Sequence, residues 1–346
     1  MPRPLSHRWP SDPREAPRRF LARRLASSDD PALHAVHELL VAAATEEAAP
    51  ARRRLPFVAL DGTPFVYSHK TGSGGFRLLA EPGALARDVP SQIDFALETL
   101  DGIVGLLGWR AAAGDVNDVV RAALPPTADG ARELRGGVAL GVAADDELEV
   151  RVYLDLRGGT GVERWQRVAN ALAPFAGAEV EATFRRLVER AAPLAVPVGL
   201  AAVLRDAALR GLRLYVGVER AGRAELEALT ALPAAMLDPF RDLLGPFRPQ
   251  RVTVAFDFVL LDGALRAALA RTKLDACRLS VPDDAARAQM ADLLDAYALD
   301  ATSARSFLED LDASFGGATI QYLGLGVRGP TTEVTVYAQP ANLARG

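Results

Sequence analysis

Four short triplets carry residues that could do chemistry together: Arg151-Val-Tyr153, Arg213-Leu-Tyr215, Lys273-Leu-Asp275 and Thr335-Val-Tyr337. They recur 62, 60 and 62 residues apart, and Arg77 stands 74 residues before Arg151. Guanidinium groups match the bidentate geometry of phosphate oxygens. Gathered around one point, Arg77, Arg151, Arg213, Arg271 and Lys273 would therefore suit a diphosphate. Tyr153, Tyr215, Tyr322 and Tyr337 add hydroxyl donors for the same oxygens. Their π-faces can also stabilise a cation in a desolvated cavity, by ~2 kcal/mol or more at best. Cations beside aromatic rings suit an ionisation in which the leaving anion is held while the developing carbocation is shielded, as when an allylic diphosphate breaks its C–O bond.

Such convergence requires a particular architecture. Short period-2 runs occur in pairs, each followed by apolar stretches at period 3.6, so the unit is strand, strand, helix, helix. The first strands fall near Thr63–Lys70, Gly137–Ala143, Val198–Leu204, Arg251–Val259 and Ala318–Val327, and the triplets lie on the second strands. Helical stripes occupy Ser91–Leu107, Val162–Leu172, Glu179–Val188, Glu225–Leu232, Ala286–Leu299 and Arg305–Phe315. Connections within a strand pair are too short for a parallel crossover, so each pair is antiparallel. Repetition of about sixty residues most simply closes into a ten-stranded antiparallel β-barrel, an α/β fold of repeating αββα units with helices outside.

Alternation then assigns the faces. Val150, Val152, Leu154 and Leu156 oppose Arg151, Tyr153 and Asp155; Leu212, Leu214, Val216 and Val218 oppose Arg213, Tyr215, Gly217 and Glu219. Helices over the apolar faces turn the polar faces inward, and ten strands enclose more room than the roughly eight whose interior side chains just fill. An open sheet would instead expose those polar faces to solvent, but a solvated face has no reason to keep its cations in phase.

Composition sets the outer limits. With 346 residues, 49% of them hydrophobic and 24% charged, the chain can bury a large core. A net charge of -4 argues against nucleic acid as a partner. The single Cys277 excludes an internal disulfide framework and fits a reducing cytoplasm. No stretch approaches the ~18 apolar residues of a membrane span. Residues 1–54 form an N-terminal extension, with a helix over Ser28–Glu47 and a linker over Ala48–Arg54, and 55–346 one barrel domain.

In this setting Gly62-Thr-Pro-Phe-Val-Tyr-Ser68, Phe76-Arg-Leu-Leu-Ala-Glu-Pro82, the Arg-x-Tyr triplets, Arg271-Thr-Lys273 and Val336-Tyr-Ala-Gln-Pro340 resemble the aromatic prenyltransferases of the ABBA barrel superfamily. The pattern is most similar to the dimethylallyl-tryptophan synthase branch and spans roughly residue 55 to the C-terminus. The resemblance implies a soluble enzyme of secondary metabolism that needs no cofactor and for which Mg²⁺ is not essential. Its donor would be an allylic diphosphate, dimethylallyl first, and its acceptor an aromatic small molecule or peptide. By the same resemblance Arg77, Arg151, Tyr153, Arg213, Tyr215, Arg271, Lys273, Tyr322 and Tyr337 would hold the diphosphate and shield the cation, although Lys is commoner in the family where Arg151 and Arg213 stand. Val66 and Ser68 would line the acceptor wall.

Two departures bear on the acceptor. Tryptophan-specific members carry a glutamate at the position of Val66, where it accepts the indole N–H and assists proton loss. Valine can do neither. Asp275 stands where the repeat predicts tyrosine, as a substitute carboxylate or as an ion-pair partner of Arg271 or Lys273, the reading preferred here. The arenium proton would otherwise pass to Glu81, to Glu219 or to the released diphosphate. A noncatalytic ligand-binding barrel is the alternative from another class, but a binder has no need of converging arginines and tyrosines.

Other motifs read as structure. Asp145-Asp-Glu-Leu-Glu149 is a solvated turn between strands rather than a Mg²⁺ cluster, and Asp283-Asp284 caps a helix. His34 and His37 lack further ligands for a metal. His69 falls on the face opposite Val66 and Ser68. Gly72-Ser-Gly-Gly75 is a hairpin turn, and Trp109 and Trp165 pack helices.

Overall fold

A computed structural model describes residues 14–25, 30–45, 64–72, 75–84, 88–124, 137–144, 148–218, 222–243, 252–261, 264–266, 271–278, 281–328 and 331–340. The side chains of 144, 261, 264–266, 271–272 and 328, that of the expected diphosphate ligand Arg271 among them, lie outside that description, as do Glu219, Asp145 and the expected linker Ala48–Arg54.

Ten antiparallel strands close a ring: β1 (Phe65–Lys70), β2 (Phe76–Ala80), β3 (Val138–Ala144), β4 (Leu148–Asp155), β5 (Val196–Arg205), β6 (Ala208–Val218), β7 (Val252–Leu261), β9 (Arg271–Cys277), β10 (Ala318–Arg328) and β11 (Thr331–Pro340). The short β8 (Ala264–Arg266) pairs with β7 beside the ring. The pairings β6–β7, β7–β9 and β1–β11 complete the closure. Strands expected at Thr63–Lys70, Gly137–Ala143, Val198–Leu204, Arg251–Val259 and Ala318–Val327 are β1, β3, β5, β7 and β10.

Burial follows the alternation. Val150, Val152 and Leu154 on β4, Leu212, Leu214 and Val216 on β6, and Val334 and Val336 on β11 are buried and join the main core between barrel and helices. Each such side chain stabilises the fold by about 1.5–3 kcal/mol relative to exposure.

Ten helices cover the barrel among the described residues: α1 (Glu15–Arg24), α2 (Pro31–Ala44), α3 (Val89–Leu106), α4 (Ala112–Ala123), α5 (Gly161–Leu172), α6 (Ala178–Ala191), α7 (Arg223–Thr230), α8 (Ala234–Leu243), α9 (Asp283–Ala296) and α10 (Thr302–Phe315). The expected N-terminal helix is α2, begun by the Asp30 side chain, which accepts from the N–H groups of Ala32 and Leu33. α5 opens with a Thr160/Glu163 capping box. Asp283 and Asp284 occupy the first turn of α9 and Pro282 the cap position, so they complement the helix dipole rather than cap it.

Helices α1, α4 and α8 were not read from the sequence. α1 is polar overall, yet Phe20 packs against Tyr67, Phe76 and Phe307 at centroid distances of 4.5, 5.4 and 6.1 Å, covering the outer face of β1 and β2. His69 also points outward, stacking on Phe307 and bonding Ser303 Oγ at 3.0 Å. Trp165 is buried and Trp109 packs against the same core.

Candidate active site

The inward side chains divide the lumen into two cavities. The larger, of about 430 Å³, lies toward the C-terminal ends of β4, β6 and β9 and is walled by Val66, Leu79, Tyr153, Tyr215, Asp275, Tyr322 and Tyr337. Its volume is that of a small-molecule site. The smaller, of about 30 Å³, is lined by Ser68, Arg77, Arg151, Arg213, Lys273, Glu333 and Thr335. The two-residue step from cation to ring along β4 and β6 produces this division, setting a cationic floor beneath an aromatic chamber.

Tyr153 and Tyr215 lie 6.1 Å apart at 35°, and Tyr322 and Tyr337 lie 6.1 Å apart at 81°. A bulge between Ile320 and Tyr322 on β10 brings Gln321 as well as Tyr322 to the cavity. Lys273 Nζ sits 4.6 Å from the Tyr337 ring centroid and donates to its hydroxyl. Burial raises the pKa of Tyr215, with Tyr153 adding to it, and burial followed by Asp275 raises that of Tyr337. For Tyr153 burial also opposes ionisation, but Arg77 and Arg151 outweigh it and lower the pKa.

The floor cations are held by internal carboxylates that the sequence reading missed. Glu149 receives Arg77 Nη2 at 2.8 Å and Arg205 Nε at 2.8 Å and pairs with Arg151. Burial opposes its charge, yet Arg151, Arg77 and Arg205 hold it well below the usual carboxylate range. It is therefore a buried hub on β4 rather than part of a solvated turn. Alternation back from Arg151 would have located it. Asp257 takes the guanidinium of Arg213 in a two-point contact, with Nη2 at 2.7 Å, across the direct pairing of β6 with β7. Burial and Arg151 act to lower the Arg213 pKa, and Asp257 reverses the balance.

At the opposite end Arg157 and Arg164 line the larger cavity. Arg157 forks onto the buried Asp155, with both bonds at 2.9 Å, and Arg164 donates to the carbonyls of Gly159 and Arg157. Neither arginine belongs to a strand triplet, so the repeat gave no sign of them.

The structure thus brings together Arg77, Arg151, Arg213, Lys273, Tyr153, Tyr215, Tyr322 and Tyr337. Val66 faces the larger cavity beside Ala139, Leu79, Tyr153 and Tyr337. Ser68 does not share that wall: two residues along β1 from Val66, it lies opposite Arg77, with the cations. Asp275 lies 3.5 Å from Lys273, the ion pair expected, and also lines the larger cavity. Glu81 is fully buried just beyond β2 and acts electrostatically on Arg157, without lining either cavity. Among the described residues no cluster of three or more His, Cys, Asp or Glu side chains could hold a metal ion, and no helix is long and apolar enough to cross a membrane.

Solved structures share this architecture from end to end. 5-Dimethylallyltryptophan synthase from Streptomyces coelicolor superposes with a TM-score of 0.74 at 20% identity, over 94% of this chain and 97% of that one. 6-Dimethylallyltryptophan synthase from Micromonospora olivasterospora, in complex with DMASPP and Trp, gives 0.74 at 16%, over 95% and 97%. AnaPT from Neosartorya fischeri gives 0.70 at 14%, over 95% and 93%. The fold is the ABBA prenyltransferase barrel. Comparison with family models and with curated proteins returned no match. The inward positions of this barrel differ in kind from the outward ones, so its chemistry has to be argued from the side chains of the lumen and not from the fold.

Proposed function

We propose that this barrel transfers a prenyl group, dimethylallyl first, from an allylic diphosphate to an aromatic acceptor by Friedel–Crafts alkylation. The observation that carries this reading is the seating of Arg77, Arg151, Arg213 and Lys273 directly beneath four tyrosines in one closed lumen. The diphosphate would lie on the cations and its allylic chain would rise among the rings. As the C–O bond breaks, the electron pair leaves with the diphosphate, where fixed guanidinium groups stabilise the developing charge. The ring faces shield the allyl cation. An aromatic acceptor in the upper cavity attacks it, forming the C–C bond, and rearomatisation releases a proton. Solved barrels of this fold crystallised with DMASPP and Trp support the choice of donor and of an aromatic acceptor.

Since side-chain cations supply the counter-charge, the donor needs no Mg²⁺ in this scheme. Donor chain length depends on the room around Leu79, Ala139, Gly217 and Gly324. A cytoplasmic setting agrees with the single cysteine. The test is incubation of the purified protein with dimethylallyl, geranyl and farnesyl diphosphates and an aromatic library, read by mass spectrometry. A prenylated aromatic product is expected. Ligand retention without donor consumption would establish a binding barrel instead.

A further inference from the structure

The acceptor wall lacks a carboxylate at Val66, but the cavity does not lack one. Asp275 is the only acidic side chain lining the larger cavity among the described residues, and no histidine lines it. It stands in the tyrosine tier on β9, where the repeat would place a fifth aromatic ring. The fold is shaped around it. On β10 the directly paired residue is Gly324, where a Cβ would fall 2.2 Å from Asp275 Oδ1 and 3.0 Å from Lys273 Cε. With glycine there the carboxylate need not shift. Lys273, 3.5 Å away, also donates to Tyr337, so the carboxylate sits between the acceptor chamber and the cationic floor.

We propose that Asp275 is the catalytic base that takes the arenium proton, and that the acceptor's reacting edge therefore faces β9 rather than β1. The inference rests on the prenyl-transfer reading. The donor C–O bond has already broken and the C–C bond formed when Asp275 acts. The C–H bond at the alkylated carbon then breaks, its electron pair restores the aromatic system, and the proton moves to the carboxylate as a neutral acid. That acid returns the proton to the departing diphosphate or to water. Glu81, which lines neither cavity, does not reach the step.

The experiment uses dimethylallyl diphosphate with an acceptor that the unmodified protein turns over. Donor ionisation is followed by exchange of ¹⁸O between bridging and terminal positions of the diphosphate, and product formation with acceptor bearing ¹H or ²H at the attacked carbon. Asp275→Asn keeps shape and should keep ionisation, while product formation falls by about 10²–10⁴-fold, the usual contribution of a general base, and a primary deuterium effect emerges. Asp275→Glu should restore part of the rate. Product formation by Asp275→Asn at the wild-type rate, with no isotope effect, would overturn the proposal. Equal loss of ionisation and product formation would also overturn it, assigning Asp275 a structural role. No ionisation of any prenyl diphosphate by the unmodified protein would overturn the underlying reading, and the proposal with it.

Discussion

Arg213 and Asp257 offer the most discriminating test of the donor floor, because each is expected to act on the donor with opposite sign. Arg213→Ala removes a charge-assisted bond to a buried anion, worth about 1.5–3 kcal/mol, which is about 10- to 150-fold in donor affinity. It also takes from Asp257 its two-point ion pair, leaving that carboxylate's negative charge uncompensated by Arg213. Breaking one side of a buried pair costs about 3–5 kcal/mol of stability, so the variant should unfold at lower temperature as well. In Arg213→Ala/Asp257→Ala both groups go. Only the bare bond is then lost, and donor kcat/KM should recover by roughly tenfold, a coupling of about 1–2 kcal/mol. Steady-state kinetics with dimethylallyl diphosphate and thermal unfolding, run on the complete cycle, supply both measures. A simply additive cycle, or wild-type donor kinetics in Arg213→Ala, would remove the pair from the donor site and the reasoning with it.

Three further outcomes are expected. Turnover should persist in excess chelator, and complete loss restored by Mg²⁺ would show that the floor cations do not suffice as counter-charge. Val66→Glu should raise turnover of indoles relative to phenols or carbocyclic arenes, since the present valine leaves an indole N–H unpaired there at roughly 1–3 kcal/mol; competition assays with mixed acceptors measure it. Burial lowers the His37 pKa from 6.5 to about 4, so the unfolded chain binds the proton first and stability falls as pH drops from about 6.5 towards 4. About 3 kcal/mol is at stake at 1.36 kcal/mol per pH unit, and melting curves of His37→Leu across that range should be flatter than those of the parent.

The barrel was legible because its evidence is periodic. Residues 151, 213 and 273 keep phase over some sixty residues, and one turn of alternation fixes which of Arg151 and Val152 faces inward. Val66 came out in the right register for the same reason. Ser68 shows where that reasoning stops: alternation gives the face of the strand but not the depth in the barrel, and the two-residue step from Val66 carries Ser68 from the upper cavity to the cationic floor. Glu149 was hidden differently. It closes an acidic run that suits a turn, and its identity as the hub for Arg77, Arg151 and Arg205 depends on β5 standing beside β4 and on β2 lying one strand further on the other side, across β3. Asp257 lies between Phe256 and Phe258, 44 residues from Arg213, and only the β6–β7 register makes them opposite. Helix α1 was missed because its apolar content is small, and tertiary packing of Phe20 rather than helix propensity holds it.

The internal carboxylates change what the cations mean. A set of unpaired arginines in a closed lumen would repel one another and swing toward water, so a donor would have to order them as it bound. Glu149 and Asp257 hold Arg77, Arg151 and Arg213 in place beforehand, and preorganised charge stabilises a leaving group without reorganisation at the moment of reaction. They also weaken the field, and the structure shows how the balance is kept. One carboxylate, Glu149, serves three guanidiniums, which leaves positive charge in excess around it. Arg213 and Lys273, by contrast, each have a carboxylate of their own in Asp257 and Asp275. The excess thus falls on the β2–β4–β5 side of the floor. A diphosphate should accordingly settle toward Arg77 and Arg151, leaving its allylic carbon beneath Tyr153 and the acceptor space open toward Asp275.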